Sequence, residues 1–223
     1  GVCCDFARDG LVDLLVTNVG KYTTEEETKV TMESIRGEAD IGDQYNVGFE
    51  DAFAGHLKAE RLEPSRLYRN LGDKKFQDVS SELGFQDEGW TGDAAPIDLD
   101  SDGWVDLYML NMQGNDQVFL NRAGKRFERA GRDLFPKTPW GSMGIKATDF
   151  ENDGDLDIFI TDMHSDMSEH VGPEKEKEKA AMQWPPSFLK TEDSSVFGNA
   201  FFRRTDDGEF EEVSDQLGAE NYW

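Results

Sequence analysis

The sequence predicts an all-β chain built from propeller blades of four antiparallel strands, and two observations predict it. A nine-residue acidic pattern occurs three times: Asp5 to Asp13, Asp98 to Asp106 and Asp149 to Asp157. Each copy runs into a short β-prone stretch, and after each the same order of strand, turn and strand returns. Four short antiparallel strands in roughly 40–50 residues make one blade.

Within a blade the elements follow in order. The stretch between Trp90 and the second pattern, such as Asp93 to Ile97, supplies the first strand. After the acidic loop come Leu14 to Asn18, Leu107 to Asn111 and Ile158 to Asp162, β-branched or aromatic and ending on a turn-forming Asn or Asp. The next strand is Leu67 to Asn70, Val118 to Asn121 and Ala200 to Arg203. Turn residues follow at Leu71 to Lys74, Ala123-Gly124 and Thr205 to Gly208. The last strand is Lys75 to Val79, Arg126 to Arg129 and Glu209 to Val213, alternating as an outer strand with one wet face does. Two copies then share a phrase, Ser80 to Gly84 and Ser214 to Gly218. Trp90 and Trp140 read as blade-packing residues.

Blade one therefore runs over about 1–84 with an insertion at about 19–65, blade two over about 90–134, and blade three over about 140–218 with an insertion at about 163–197. Both insertions follow a blade's second strand and are expected at one face, where insertions often build a binding surface. Glu174 to Met182 and Val47 to Leu57 read as helices within them, and Thr23 to Ile35 as helix or loop. The repeat phase gives about three blades, short of the 4–8 in a ring. The chain is thus expected to be a partial propeller, continued by further blades or by other copies.

Each loop carries the chemistry of a hard-cation cage. Calcium takes 6–8 oxygen ligands in flexible geometry, and short alternating Asp side chains in a tight turn supply them. Positions 1, 3, 5 and 9 offer carboxylates, position 6 is Gly, and position 7 offers its carbonyl. Loop two has Asp98, Asp100, Asp102, Asp106 and the Trp104 carbonyl. Loop three has Asp149, Glu151, Asp153, Asp157 and Asp155 at position 7. Loop one has Asp5, Asp9, Asp13 and the Leu11 carbonyl, but Ala7 at position 3, with Arg8 bringing a positive charge near the cage. Calcium is expected at two sites and more weakly at the first. Magnesium fits less well, because it demands octahedral geometry and retained waters.

The chain has 47 acidic and 23 basic residues, a net charge of −24, which opposes binding to nucleic acid or anionic lipid. With 37% hydrophobic and 11% aromatic residues it is too apolar for a disordered acidic tail. No apolar run reaches the ~20 residues of a membrane helix. Cys3 and Cys4 are adjacent and form no disulfide framework; they read as small strand residues. His56, His164 and His170 all fall in the insertions, and no nucleophile elbow, phosphate loop or Cys-based zinc motif is present.

The loops, each followed by a strand and Asn or Asp, resemble the FG-GAP/VCBS repeat, the calcium-binding blade of integrin α-subunit propellers. The phrases Val47 to His56, Leu110 to Gly114, Thr161 to Met167 and Phe197 to Phe202 resemble bacterial VCBS-repeat proteins of the ASPIC/UnbV, or cartilage-acidic-protein-like, group. The resemblance implies a seven-bladed propeller that is exported (extracellular, at the cell surface or periplasmic) with calcium in its loops. A rigid propeller with calcium-braced loops and decorated faces, similar to integrin propellers, is expected to be a binding or adhesion module for protein or carbohydrate ligands and not an enzyme, its calcium structural. Two alternatives are a self-assembling surface-layer or filament protein and a polysaccharide-lyase-like enzyme. Ala7 departs from the motif and weakens the first site.

Overall fold

The computed structural model describes residues 1–19, 63–87, 89–112, 114–139, 141–163, 195–196 and 198–219. They form three four-stranded antiparallel meanders. Sheet 1 is β1 (Val2–Cys4), β2 (Asp13–Val16), β3 (Arg66–Asn70) and β4 (Phe76–Asp78). Sheet 2 is β5 (Thr91–Ile97), β6 (Asp106–Asn111), β7 (Gln117–Asn121) and β8 (Phe127–Arg129). Sheet 3 is β10 (Ser142–Thr148), β11 (Asp157–Asp162), β13 (Ala200–Arg204) and β14 (Phe210–Glu212). A small parallel pair, β9 (Thr138–Pro139) with β12 (Ser195–Val196), ties the end of the third blade's insertion to the link between sheets 2 and 3. The sequence carries no alternation that announces this pair. The expected helices at Val47 to Leu57 and Glu174 to Met182, the segment Thr23 to Ile35, and Trp140 lie outside the described residues.

The strands follow the expected order within each blade. First strands lie side by side, β1 near β5 and β5 near β10, so the sheets stack about their inner edges as blades do. β5 and β10 each carry a bulge at the same place, between Thr91 and Asp93 and between Ser142 and Gly144. Such a bulge tightens the local twist.

Sheet 2 is buried on both faces because its two middle strands are apolar at every residue they can spare. On β6, Leu107 and Met109 face sheet 1, while Tyr108 and Leu110 face sheet 3. Two wedges fill each junction, one from an acidic loop and one from the link between sheets. Phe6 meets Phe127 edge-on at 5.8 Å, and Phe85 tilts on Phe119 at 4.8 Å. In the second junction Leu99 is fully buried, and Phe135 stacks on Phe210 at 4.4 Å and meets Tyr108 and Phe202 edge-on at 5.2 Å. Trp90 is buried, as a packing residue should be.

The phrase shared by Ser80 and Ser214 has a defined task. Ser80 Oγ accepts from Leu67 N–H at 2.9 Å, and Ser214 Oγ from Phe201 N–H at 2.7 Å. Each extends the edge of an outer strand after its backbone turns away. The second of these phrases is helical, α2 (Ser214–Leu217), closed by Gly218 at φ 61°. Sheet 2 has instead a short helix, α1 (Gly131–Leu134), with Gly131 in the serine position.

Meander topology alternates loops between the two ends of a blade. The acidic loops therefore share one end with the turns between third and fourth strands. The two insertions leave from the other end, and from the same end as each other.

Candidate metal centres in the Asp-Gly loops

The three loops are built on one hydrogen-bond scaffold. Position 1 accepts the amide of the position-6 glycine: Gly10 N–H to Asp5 at 2.9 Å, Gly103 to Asp98 at 2.9 Å, Gly154 to Asp149 at 3.1 Å. Position 5 accepts the amide of position 7: Leu11 to Asp9 at 2.9 Å, Trp104 to Asp102 at 2.8 Å, Asp155 to Asp153 at 3.0 Å. These are Asx-type turns, which Asp favours. The bend needs left-handed backbone at positions 4 and 6. Gly10, Gly103 and Gly154 have φ of 85°, 85° and 98°, while Arg8, Ser101 and Asn152 have 53°, 58° and 59°. Only Asn152 is a residue type that advertises this conformation.

Position 9 is a staple. Asp106 is buried; Oδ2 accepts from Leu99 N–H at 2.8 Å and Oδ1 from Asn121 N–H at 2.7 Å. Asp157 does the same with Phe150 and Arg204, both at 3.0 Å. Asp13 accepts from Asn70 at 2.8 Å and from Ala7 at 3.4 Å. Each thus joins its loop to the third strand of the same blade. Asn121 completes the tie at sheet 2, donating to Val105 O at 3.1 Å and across the junction to Phe6 O at 2.9 Å. Burial is the main force that raises the carboxyls of Asp13 and Asp106, the latter to about 6.

Loop two differs from the others in a way that matters for a cation. In loops one and three, position 1 also accepts the position-5 amide, Asp9 to Asp5 at 3.1 Å and Asp153 to Asp149 at 3.0 Å. In loop two that amide turns to Asp100 at 3.4 Å. Asp98 Oδ1 is left buried with no hydrogen-bond partner. Among the described residues, Asp98, Asp100 and Asp106 alone form a group of three metal-ligating side chains, with oxygens within 4.8 Å of one another. Asp102, engaged in its own turn, lies outside that group, and loop three shows no such gathering of Asp149, Glu151, Asp153 and Asp157. An unpaired buried carboxylate oxygen facing further carboxylates fits a bound cation, which would supply the missing partner.

Arg8 does not serve its own cage. Its guanidinium lies over the Trp104 ring, 5.1 Å from the centroid, so loop one is braced against loop two. His56, His164 and His170 lie outside the described residues. Cys3 and Cys4 are free thiols, the second pushed up to about 11 chiefly by burial.

At the opposite end of the blades, buried acids join the sheets, a feature sequence reading missed. Between sheets 1 and 2, Asp87 accepts from Ser65 Oγ and from Thr91 Oγ1, the latter at 2.8 Å. Between sheets 2 and 3, Asp116 accepts from Ser142 Oγ at 2.6 Å, Tyr108 OH at 3.0 Å and Asn111 N–H at 2.7 Å, and its own N–H donates to Thr138 at 3.1 Å. Ser65 and Asp116 hold the same place before a third strand; Asp87 and Thr138 hold the same place before a first strand. Acid and hydroxyl have exchanged positions between the junctions. Burial raises both acids, Asp116 to about 8.

Residues 98–160 match the family model for the FG-GAP-like repeat. The chain is 33% identical over 104 residues to cartilage acidic protein 1 of Xenopus tropicalis, a match covering 45% of this chain and 16% of that protein. It is 30% identical over 104 residues to the Homo sapiens protein and 28% over 103 to that of Mus musculus, with the same coverage. The matched segment thus spans about a sixth of the length of these relatives. Loops two and three, each joining the first strand of a meander sheet to its second, thus lie in the segment that matches the FG-GAP-like repeat, and part of the chain is similar to cartilage acidic protein 1.

Proposed function

We propose that this chain is part of a calcium-braced extracellular propeller that binds a protein or carbohydrate partner, the calcium being structural. The observation that carries the calcium reading is the partnerless Asp98 Oδ1 beside Asp100 and Asp106. Asp98, Asp100, Asp102 and Asp106 with the Trp104 carbonyl would hold the ion. Its contribution is charge: it offsets clustered carboxylates and fixes the loop. The fold gathers only three carboxylates there, so a modest affinity is expected, in the range of extracellular modules, ~10⁻⁴–10⁻³ M. The partner surface belongs to the insertion end, away from the calcium loops. This suits a division between a rigid braced end and a variable recognising end.

The test is thermal unfolding in calcium and in chelator. At calcium a hundredfold above its Kd, linkage gives about 2.7 kcal/mol, a rise of roughly 5–10 °C for a chain of this size. Asp98→Ala is expected to remove loop two's share of that rise. An unchanged melting temperature on chelation of the wild-type chain would sink the calcium reading. Arrays of glycans and of extracellular proteins, probed with the full chain, test the partner reading.

A further inference from the structure

Asp100 has a partner that its own loop does not supply. Arg122, in the turn after β7, places Nη1 2.6 Å from Asp100 Oδ2, while its Nε donates to Glu128 Oε2 on β8 at 2.9 Å. Sheet 3 makes the same three-part contact with an arginine from another position. Arg203 Nη1 lies 3.8 Å from Glu151 Oε1 at position 3 of loop three, and Nη2 lies 2.8 Å from Glu211 Oε2. Glu128 and Glu211 are equivalent, second in their outer strands and paired with Leu120 and Arg203. Sheet 1 lacks both acids together: Ala7 stands at position 3, and Gln77 pairs with Arg69 in the place of the glutamate. Where the loop carries an acid at position 3, an arginine anchored on the outer strand reaches it; where the acid is gone, so is the anchor.

We propose that Arg122 is the resident counter-ion of loop two and competes with the metal for Asp100. This rests on the calcium reading of that loop. Without metal, the guanidinium offsets one charge of the Asp98, Asp100 and Asp106 group and keeps the loop from springing apart. When the divalent ion binds, it takes Asp100, and Arg122 keeps Glu128. The exchange costs affinity, because one ion pair is given up for each ion bound. It sets the calcium concentration at which loop two fills, and gives Arg203 the same part toward Glu151 in loop three. The rival arrangement, in which Arg122 merely orients Asp100 for the metal, makes the opposite prediction: removing an orienting partner weakens a metal site.

Terbium luminescence separates the two. Trp104 at position 7 is the one tryptophan in the three loops, the other two having Leu11 and Asp155 there, so indole-sensitised terbium emission reports loop two. Trp104→Phe serves as the control that the signal arises there. Calcium competition against bound terbium then gives the calcium affinity. Arg122→Ala and Arg122→Gln are expected to tighten calcium binding by roughly two- to fivefold, the scale of a partly exposed ion pair. Arg203→Ala is expected to leave loop two unchanged. Equal or weaker calcium binding by both Arg122 variants overturns the counter-ion role while leaving the metal site standing. If neither the wild type nor the variants give saturable emission displaced by calcium, the calcium reading itself fails, and the counter-ion role with it.

Discussion

Asp116 shows how a single side chain is redefined by its surroundings. In the sequence it is one acidic residue among 47. In the fold it is buried between sheets 2 and 3, accepting three hydrogen bonds, and it holds its proton up to about pH 8. The sign of the consequence is fixed by linkage. The folded state keeps a proton that the unfolded chain releases near pH 4, so stability is full below that value and is lost as pH rises toward 8. Asp116→Asn, which stays neutral, is expected to flatten the stability profile between pH 4 and 8 and to exceed the wild type above pH 8. Urea unfolding at pH 5 and pH 8.5 measures this; a profile as steep in the variant as in the wild type would refute it. Asp87 is raised in the same direction and leaves a remaining slope. Neither acid was legible beforehand, because its side-chain partners lie 4 to 26 residues away and are chosen by how sheets abut.

The loops and strand edges show what repetition does at the scale of elements. In all three copies position 1 accepts the position-6 amide, position 5 the position-7 amide and position 9 two backbone amides, and the spacing of the motif announced the loops. The left-handed backbone at Arg8 and Ser101 was hidden, because neither residue type signals it. The engagement of position 9 by two backbone amides was hidden too: an Asp at that spacing reads as a ligand, and only the third strand shows that it is first a staple. The serine edge device yields a prediction where it is missing. At Gly131 an added Cβ would lie 3.7 Å from Val118 N, where Ser80 and Ser214 place their hydroxyls on the equivalent amides in the other sheets. Gly131→Ser is therefore expected to stabilise the chain by about 1 kcal/mol, from one hydrogen bond and the relief of glycine's backbone entropy. Denaturant midpoints compare the two proteins, and a loss of stability would show that the seryl group is not accommodated.

The whole molecule is a row of sheets held by nearest-neighbour junctions, as repeat proteins are. Phe135 is the key wedge of the second junction, fully buried and in ring contact with residues of β6, β13 and β14. Phe135→Ala is expected to cost about 3–5 kcal/mol. The loss should be uneven: amide exchange should quicken in sheets 2 and 3 more than in sheet 1, and uniform quickening would argue against junction-by-junction coupling. The same logic reads the outer blades. Phe150, equivalent to the buried Phe6 and Leu99, is 56% exposed on sheet 3, and Leu11, Val12, Leu71 and Phe76 are exposed on sheet 1.

By itself the sequence determined the order of strands in each blade and the positions of the Asp-Gly loops, because these depend on short-range pattern. Alternation and turn residues specify a meander locally, and an Asp-Gly spacing specifies a bend. Tertiary structure alone decided that the three loops are unequal for reasons beyond Ala7. It turned the Asp102 amide from position 1 to Asp100, left Asp98 Oδ1 unpartnered, and set Arg122 on Asp100. It also buried Asp87 and Asp116 between sheets with acid and hydroxyl exchanged. These outcomes depend on which groups meet across strands and junctions, and on how far water is excluded there, quantities that no local spacing encodes.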